Sequence, residues 1–76
     1  MARLLTEVLD KVLALIPESE VDLRDELSKA QRSAQYGAPE AQYLYWERAQ
    51  AALHTYTPDP PPDWAVDVIR LWNSAD

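Results

Sequence analysis

Apolar residues recur along the chain at helical spacing, and breaks in that spacing divide it into four segments. From about residue 3 to 16, Leu5, Val8, Leu9, Val12 and Ile16 fall on one face of a helix. Leu4, Leu13 and Leu15 widen that stripe to about half of the circumference. So wide a stripe needs at least two neighbours, either two helices of its own fold or one helix and a partner chain. Pro17 ends the segment. From about 20 to 36, Leu23, Leu27, Ala30 and Ala34 make a narrower stripe. Ser19 is its predicted N-cap, and Gly37 its predicted closing residue in the left-handed conformation.

The third segment runs from about 39 to 55, with Pro39 in its first turn. Ala41, Tyr45, Ala49, Ala52 and Tyr56 share one face, flanked by Leu44, Trp46 and Leu53. Glu47, Gln50 and His54 mark the opposite face, and Tyr43 falls among them. Thr57-Pro58-Asp59-Pro60-Pro61-Pro62 follows. Prolines at this density predict an extended connector over 57–62, rising about 3.1 Å per residue. The last segment, 63–73, has Asp63 as its predicted N-cap and Trp64, Val68, Leu71, Trp72 and Ala75 on one face. No stretch alternates with the period of a strand. The predicted fold class is all-α: a small three- to four-helix bundle in a single domain over 1–76, with a proline-rich connector before the last helix. That helix is expected to fold back on the first three rather than dock on another subunit.

Length makes such a fold marginal. Scaling rules give roughly 12,600 Å² of surface for the unfolded chain of 76 residues and about 4,700 Å² folded, so roughly 62% is buried. With no cysteine, neither a disulfide nor a thiolate metal site can add stability. A single glycine excludes a Gly-rich phosphate loop, and a single histidine excludes a two-histidine metal motif. The longest apolar run, Val12 to Ile16, is too short for a signal-peptide core or a membrane span, so a cytoplasmic protein is expected. Abundant alanine with few lysines and no phenylalanine points to a GC-rich bacterial or phage genome.

Charge narrows the partners. Thirteen acidic residues against seven basic ones give a net charge of −6. The bases Arg3, Lys11, Arg24, Lys29, Arg32, Arg48 and Arg70 are scattered, which disfavours direct contact with nucleic acid or an anionic membrane. The simplest reading of the net charge is that it keeps a small protein in solution; the alternative is that it draws the chain to a basic protein.

Groups able to do chemistry are few. His54 shares a helix face with Glu47 and Gln50, but no second histidine or cysteine completes a ligand set. Its simpler reading is a solvated side chain near a helix C-terminus. The serines lack a neighbouring histidine and a nucleophile elbow. No catalytic residue, cofactor or metal is assigned, and the chain is read as not an enzyme. Glu18, Glu20, Asp22, Asp25 and Glu26 crowd the start of the second helix, relieved only by Arg24. Their simplest reading is a hydrated face, with Asp25 and Lys29 as an i, i+4 pair; the alternative is an acidic docking surface. Pro58-x-x-Pro61 is the minimal pattern read by aromatic-grooved domains, although a rigid connector explains it as well.

Aromatic residues give the sharpest clue. Tyr43, Tyr45 and Trp46 point in different directions on one helix, so at least one of them, Tyr43, is expected at the surface. An exposed tyrosine beside Glu47 and Gln50 is a candidate contact hot spot. Trp64 and Trp72 fit a core-facing role. The segment Trp64-Ala65-Val66-Asp67-Val68-Ile69-Arg70-Leu71-Trp72 loosely resembles the final helix of the acidic four-helix immunity proteins that neutralise colicin-type nucleases. The resemblance is confined to that helix, and the adjacent tyrosine pair of those proteins is absent. It implies that an object of this size and charge sign can be a protein inhibitor.

The expected function is therefore a small acidic protein–protein interaction module that binds a larger protein and inhibits or adapts it. Its predicted contact residues are Tyr43, Glu47 and Gln50, with Asp22, Asp25 and Glu26 of the second helix. One alternative is a self-associating assembly subunit, a homodimer closed by helix 1. Another is an acidic nucleic-acid mimic that blocks a DNA-binding protein.

Overall fold

A computed structural model describes residues 4–74, and four helices hold most of them. These are α1 (Leu5–Leu15), α2 (Val21–Tyr36), α3 (Gln42–Tyr56) and α4 (Asp63–Asn73), with a 3-10 turn at Pro39–Ala41 leading into α3. There is no strand among the described residues. The all-α four-helix architecture is the one the hydrophobic pattern predicts. Arg3 and Ala75, placed by that pattern on the first and last helices, lie outside the described residues.

Prolines fix the helix boundaries. A residue before proline is barred from the helical region. Ile16, Ala38 and Thr57 accordingly take extended ψ angles of 127°, 147° and 128° ahead of Pro17, Pro39 and Pro58. Two predicted caps are displaced by one residue. Glu20, not Ser19, sits at the N-cap of α2, because the turn after α1 closes through its own backbone: the Glu20 N–H donates to the Pro17 carbonyl at 3.0 Å. Pro62, not Asp63, caps α4; its carbonyl accepts from Ala65 at 2.9 Å and Val66 at 3.1 Å. Asp63 becomes the first helical residue, where its charge suits the helix dipole.

Gly37 ends α2 as expected, but for a different reason. Its φ of −83° and ψ of 162° are extended and open to any residue. What a side chain lacks here is space. A Cβ on Gly37 would run into the ring and hydroxyl of Tyr45 and stand 2.7 Å from the Ser33 carbonyl oxygen. Glycine to alanine at a compatible backbone ordinarily stabilises by restricting the unfolded chain. Here the clash reverses the sign, and Gly37→Ala is expected to cost about 1–2 kcal/mol in urea unfolding. An unchanged or raised midpoint would mean that Tyr45 swings aside freely.

The core is apolar throughout, with no buried polar or charged side chain among the described residues. Leu5, Val8, Leu9, Val12 and Ile16 of α1 are all buried, as their spacing requires. α1 lies between α2 and α4, so the two neighbours its wide stripe calls for come from its own chain. Leu4 and Leu15 remain exposed on its flank. Small buried residues on α2 (Ala30, Ala34) and α3 (Ala49, Ala52) allow these helices their close and extensive packing. Polar ties bind the same helices. Arg24 Nη1 donates to the carbonyls of Leu13 (2.8 Å) and Ile16 (2.7 Å) at the end of α1. Gln31 Nε2 donates to the Thr6 carbonyl at 3.0 Å and to the Asp10 carboxylate. Gln42 Nε2 donates to the Ala34 carbonyl at 3.1 Å, near the end of α2.

One junction is looser. The backbones of α3 and α4 do not approach closely; the two helices meet through Trp46 and Trp72, whose ring centroids lie 5.0 Å apart at 56°. The connector 57–62, with a cis bond at Asp59–Pro60, runs past the same junction.

Candidate functional site

Tyr43, Glu47, Gln50 and His54 are all exposed on α3, Tyr43 with 62% of its surface free. At 100° per residue they fall within about 60° of arc and form a single ridge along the helix. Glu47, Gln50, Ala51 and His54 line one shallow hollow on that ridge. Gln50 and His54 also enter a cleft of about 380 Å³ at the α3–α4 junction. Leu53, Thr57, Pro58, Asp59, Pro61, Ile69 and Trp72 complete its walls. The structure thus brings Tyr43, Glu47 and Gln50 together and continues their ridge into a largely apolar cleft.

The second group of predicted contacts lies elsewhere. Asp22 and Asp25 are exposed on α2, and Glu26 is half-buried. Asp25 pairs with Lys29 at 3.1 Å, and Glu26 stands 3.7 Å from Lys29 and 3.9 Å from Arg48 of α3. Lys29 is held above the ordinary lysine range, first by its hydrogen bond to Asp25 and then by the charges of Asp25 and Glu26. Its pair with Asp25 is exposed at both ends and contributes little stability. Arg48 reaches toward α2 from the flank of α3 opposite Gln50, roughly 160° around the helix. The expected single surface of six residues is therefore two surfaces with α3 between them. Asp25 and Glu26 have cations as near neighbours, so this is a paired surface and not a bare acidic one.

Other aromatic residues divide by position. Tyr45, Trp46, Trp64 and Trp72 are half-buried against the core. Tyr56, expected inside, is 40% exposed, since the chain leaves the bundle at Thr57. Leu44 and Tyr36 are also exposed, Tyr36 at 80%. Pro58 and Pro61 line the cleft, so the Pro-x-x-Pro pattern forms a wall between α3 and α4. Among the described residues no three histidine, aspartate or glutamate side chains gather at ligating distance. None of the described helices is long and apolar enough to cross a membrane.

Sequence reasoning missed Ile69, Thr57 and Asp59 as cleft walls. Ile69 carried a signal: an apolar residue off the inner stripe of its own helix, 41% exposed and unaccounted for by the core. Thr57 and Asp59 carried none, because their part depends on where the connector runs. Arg24 was legible in outline. A cation near the N-terminus of α2 opposes that helix's own dipole, which points to a partner elsewhere.

The chain matches no family model, no curated protein and no solved structure.

Proposed function

We propose that this chain is a small acidic protein–protein interaction module, without enzymatic activity, that binds a larger and basic protein and inhibits or adapts it. The observation that carries the reading is the ridge of Tyr43, Glu47, Gln50 and His54 running into the apolar cleft between α3, the connector and α4. An exposed amphipathic aromatic residue on one ridge with polar groups that lead into an apolar recess has the composition of an interface hot spot. A net charge of −6 favours encounter with a basic partner. A cytoplasmic setting, expected from the short apolar runs of the sequence, is part of the same proposal. Self-association through helix 1 has less support, since its stripe is covered within the chain by α2 and α4. The nucleic-acid mimic also has less, since Asp25 and Glu26 stand beside Lys29 and Arg48.

The test is capture of the partner from native lysate with a tagged chain, followed by affinity measurement on the purified pair. Tyr43→Ala and Glu47→Lys are each expected to weaken binding by roughly tenfold or more. Both residues are exposed, so unfolding stability should stay within about 0.5 kcal/mol. Unaltered affinity in both variants would remove the ridge as the contact.

A further inference from the structure

We propose that the cleft between the end of α3, the proline connector and α4 seats an arginine side chain presented by the partner protein. The inference rests on the interaction-module reading and names what that module grips. A cleft of about 380 Å³ falls within the size range of small-ligand pockets. Leu53, Ile69, Trp72, Pro58 and Pro61 give it apolar walls that suit an aliphatic stem or a flat group. Among the described residues that line it, Asp59 is the only formally charged one. Glu47 stands in the adjoining hollow, and among the described residues no lysine or arginine lines either recess. Charge and apolarity together call for an occupant with a hydrocarbon body and a cationic head. A wholly apolar occupant would desolvate Asp59 and Gln50 without replacing their hydrogen bonds.

Arginine fits better than lysine. Its guanidinium is planar and weakly hydrated, stacks on aromatic and proline faces, and can give a carboxylate two parallel hydrogen bonds. The Gln50 amide oxygen and the Thr57 hydroxyl are further acceptors for its remaining N–H groups. Trp72 is backed by Trp46, so the stacking surface stands ready before the ligand arrives.

The test is an NMR titration of the full chain with the capped tripeptide Gly-Arg-Gly. Shifts at the Trp72 indole, Ile69 and Thr57 should saturate together. The same peptide carrying citrulline, of equal shape but without charge, should bind at least about tenfold more weakly, as should the arginine peptide to Asp59→Asn. A lysine peptide should also bind more weakly than the arginine one. Glu7→Gln, exposed on α1 and not among the cleft walls, should change nothing. Equal binding of citrulline or lysine, shifts spread over all the acidic residues, or no saturable shift would each overturn the proposal. Failure of the module reading shows separately, as a captured partner indifferent to Tyr43→Ala and Glu47→Lys.

Discussion

Leu9→Ala is expected to leave the chain largely unfolded at room temperature. Leu9 is fully buried at the middle of α1, the helix that packs on both α2 and α4. Truncating a buried leucine removes transfer free energy and leaves a cavity, costing about 2–5 kcal/mol. A core of this size supplies roughly 3–5 kcal/mol net, so the loss is comparable to the whole stability. Far-UV circular dichroism should show most of the helical signal gone, with α4 lost together with α1. The control is Leu15→Ala on the same helix, at an exposed position, which should cost under about 1 kcal/mol. A cooperative Leu9→Ala melt near the wild-type midpoint would mean that the helices collapse onto the vacated space.

Arg24→Ala is expected to cost about 1.5–3 kcal/mol, a large effect for a side chain outside the hydrophobic core. The half-buried guanidinium satisfies the Ile16 carbonyl, which Pro17 leaves without a following helical turn, and is a second donor to the Leu13 carbonyl, which also accepts from the Ile16 N–H at 3.3 Å. It also places a positive charge at the negative end of α1. Removing it strips the Ile16 carbonyl of that donor, leaves the Leu13 carbonyl with the Ile16 N–H alone, and loosens the α1–α2 turn. Arg24→Lys keeps the charge and should lose less than half as much. Urea unfolding of the three proteins reads the series directly; a loss below about 0.5 kcal/mol for alanine would mean that water replaces the guanidinium at little cost.

Both predictions trace to features of differing legibility. Leu9 could be assigned to the core from spacing alone, because a helix has one period and the stripe through Leu5, Val8, Leu9, Val12 and Ile16 repeats at it. Arg24 could be flagged as misplaced in its own helix, but its acceptors belong to another one. Gly37 shows the opposite case. Its position at the end of α2 was readable, while its cause, the ring of Tyr45, lies on a different helix and has no local trace.

The candidate site divides in the same way. Tyr43, Glu47 and Gln50 are within two helical turns of one another, so their common face follows from the 100° step. Their distance from Asp22, Asp25 and Glu26 does not follow from any periodicity. It depends on which flank of α3 meets α2, and the Arg48–Glu26 pair marks that flank.

By itself the amino-acid sequence determined the four helices, the prolines that end or open them, the buried face of α1 and the exposed ridge of α3. These depend on backbone sterics and on a repeat only a few residues long, both local quantities. Tertiary structure decided that α4 closes on α1, that the backbones of α3 and α4 stay apart while Trp46 and Trp72 meet between them, and that the connector walls a cleft at that junction. Such choices depend on side-chain volumes meeting across distant parts of the chain. No local period encodes them.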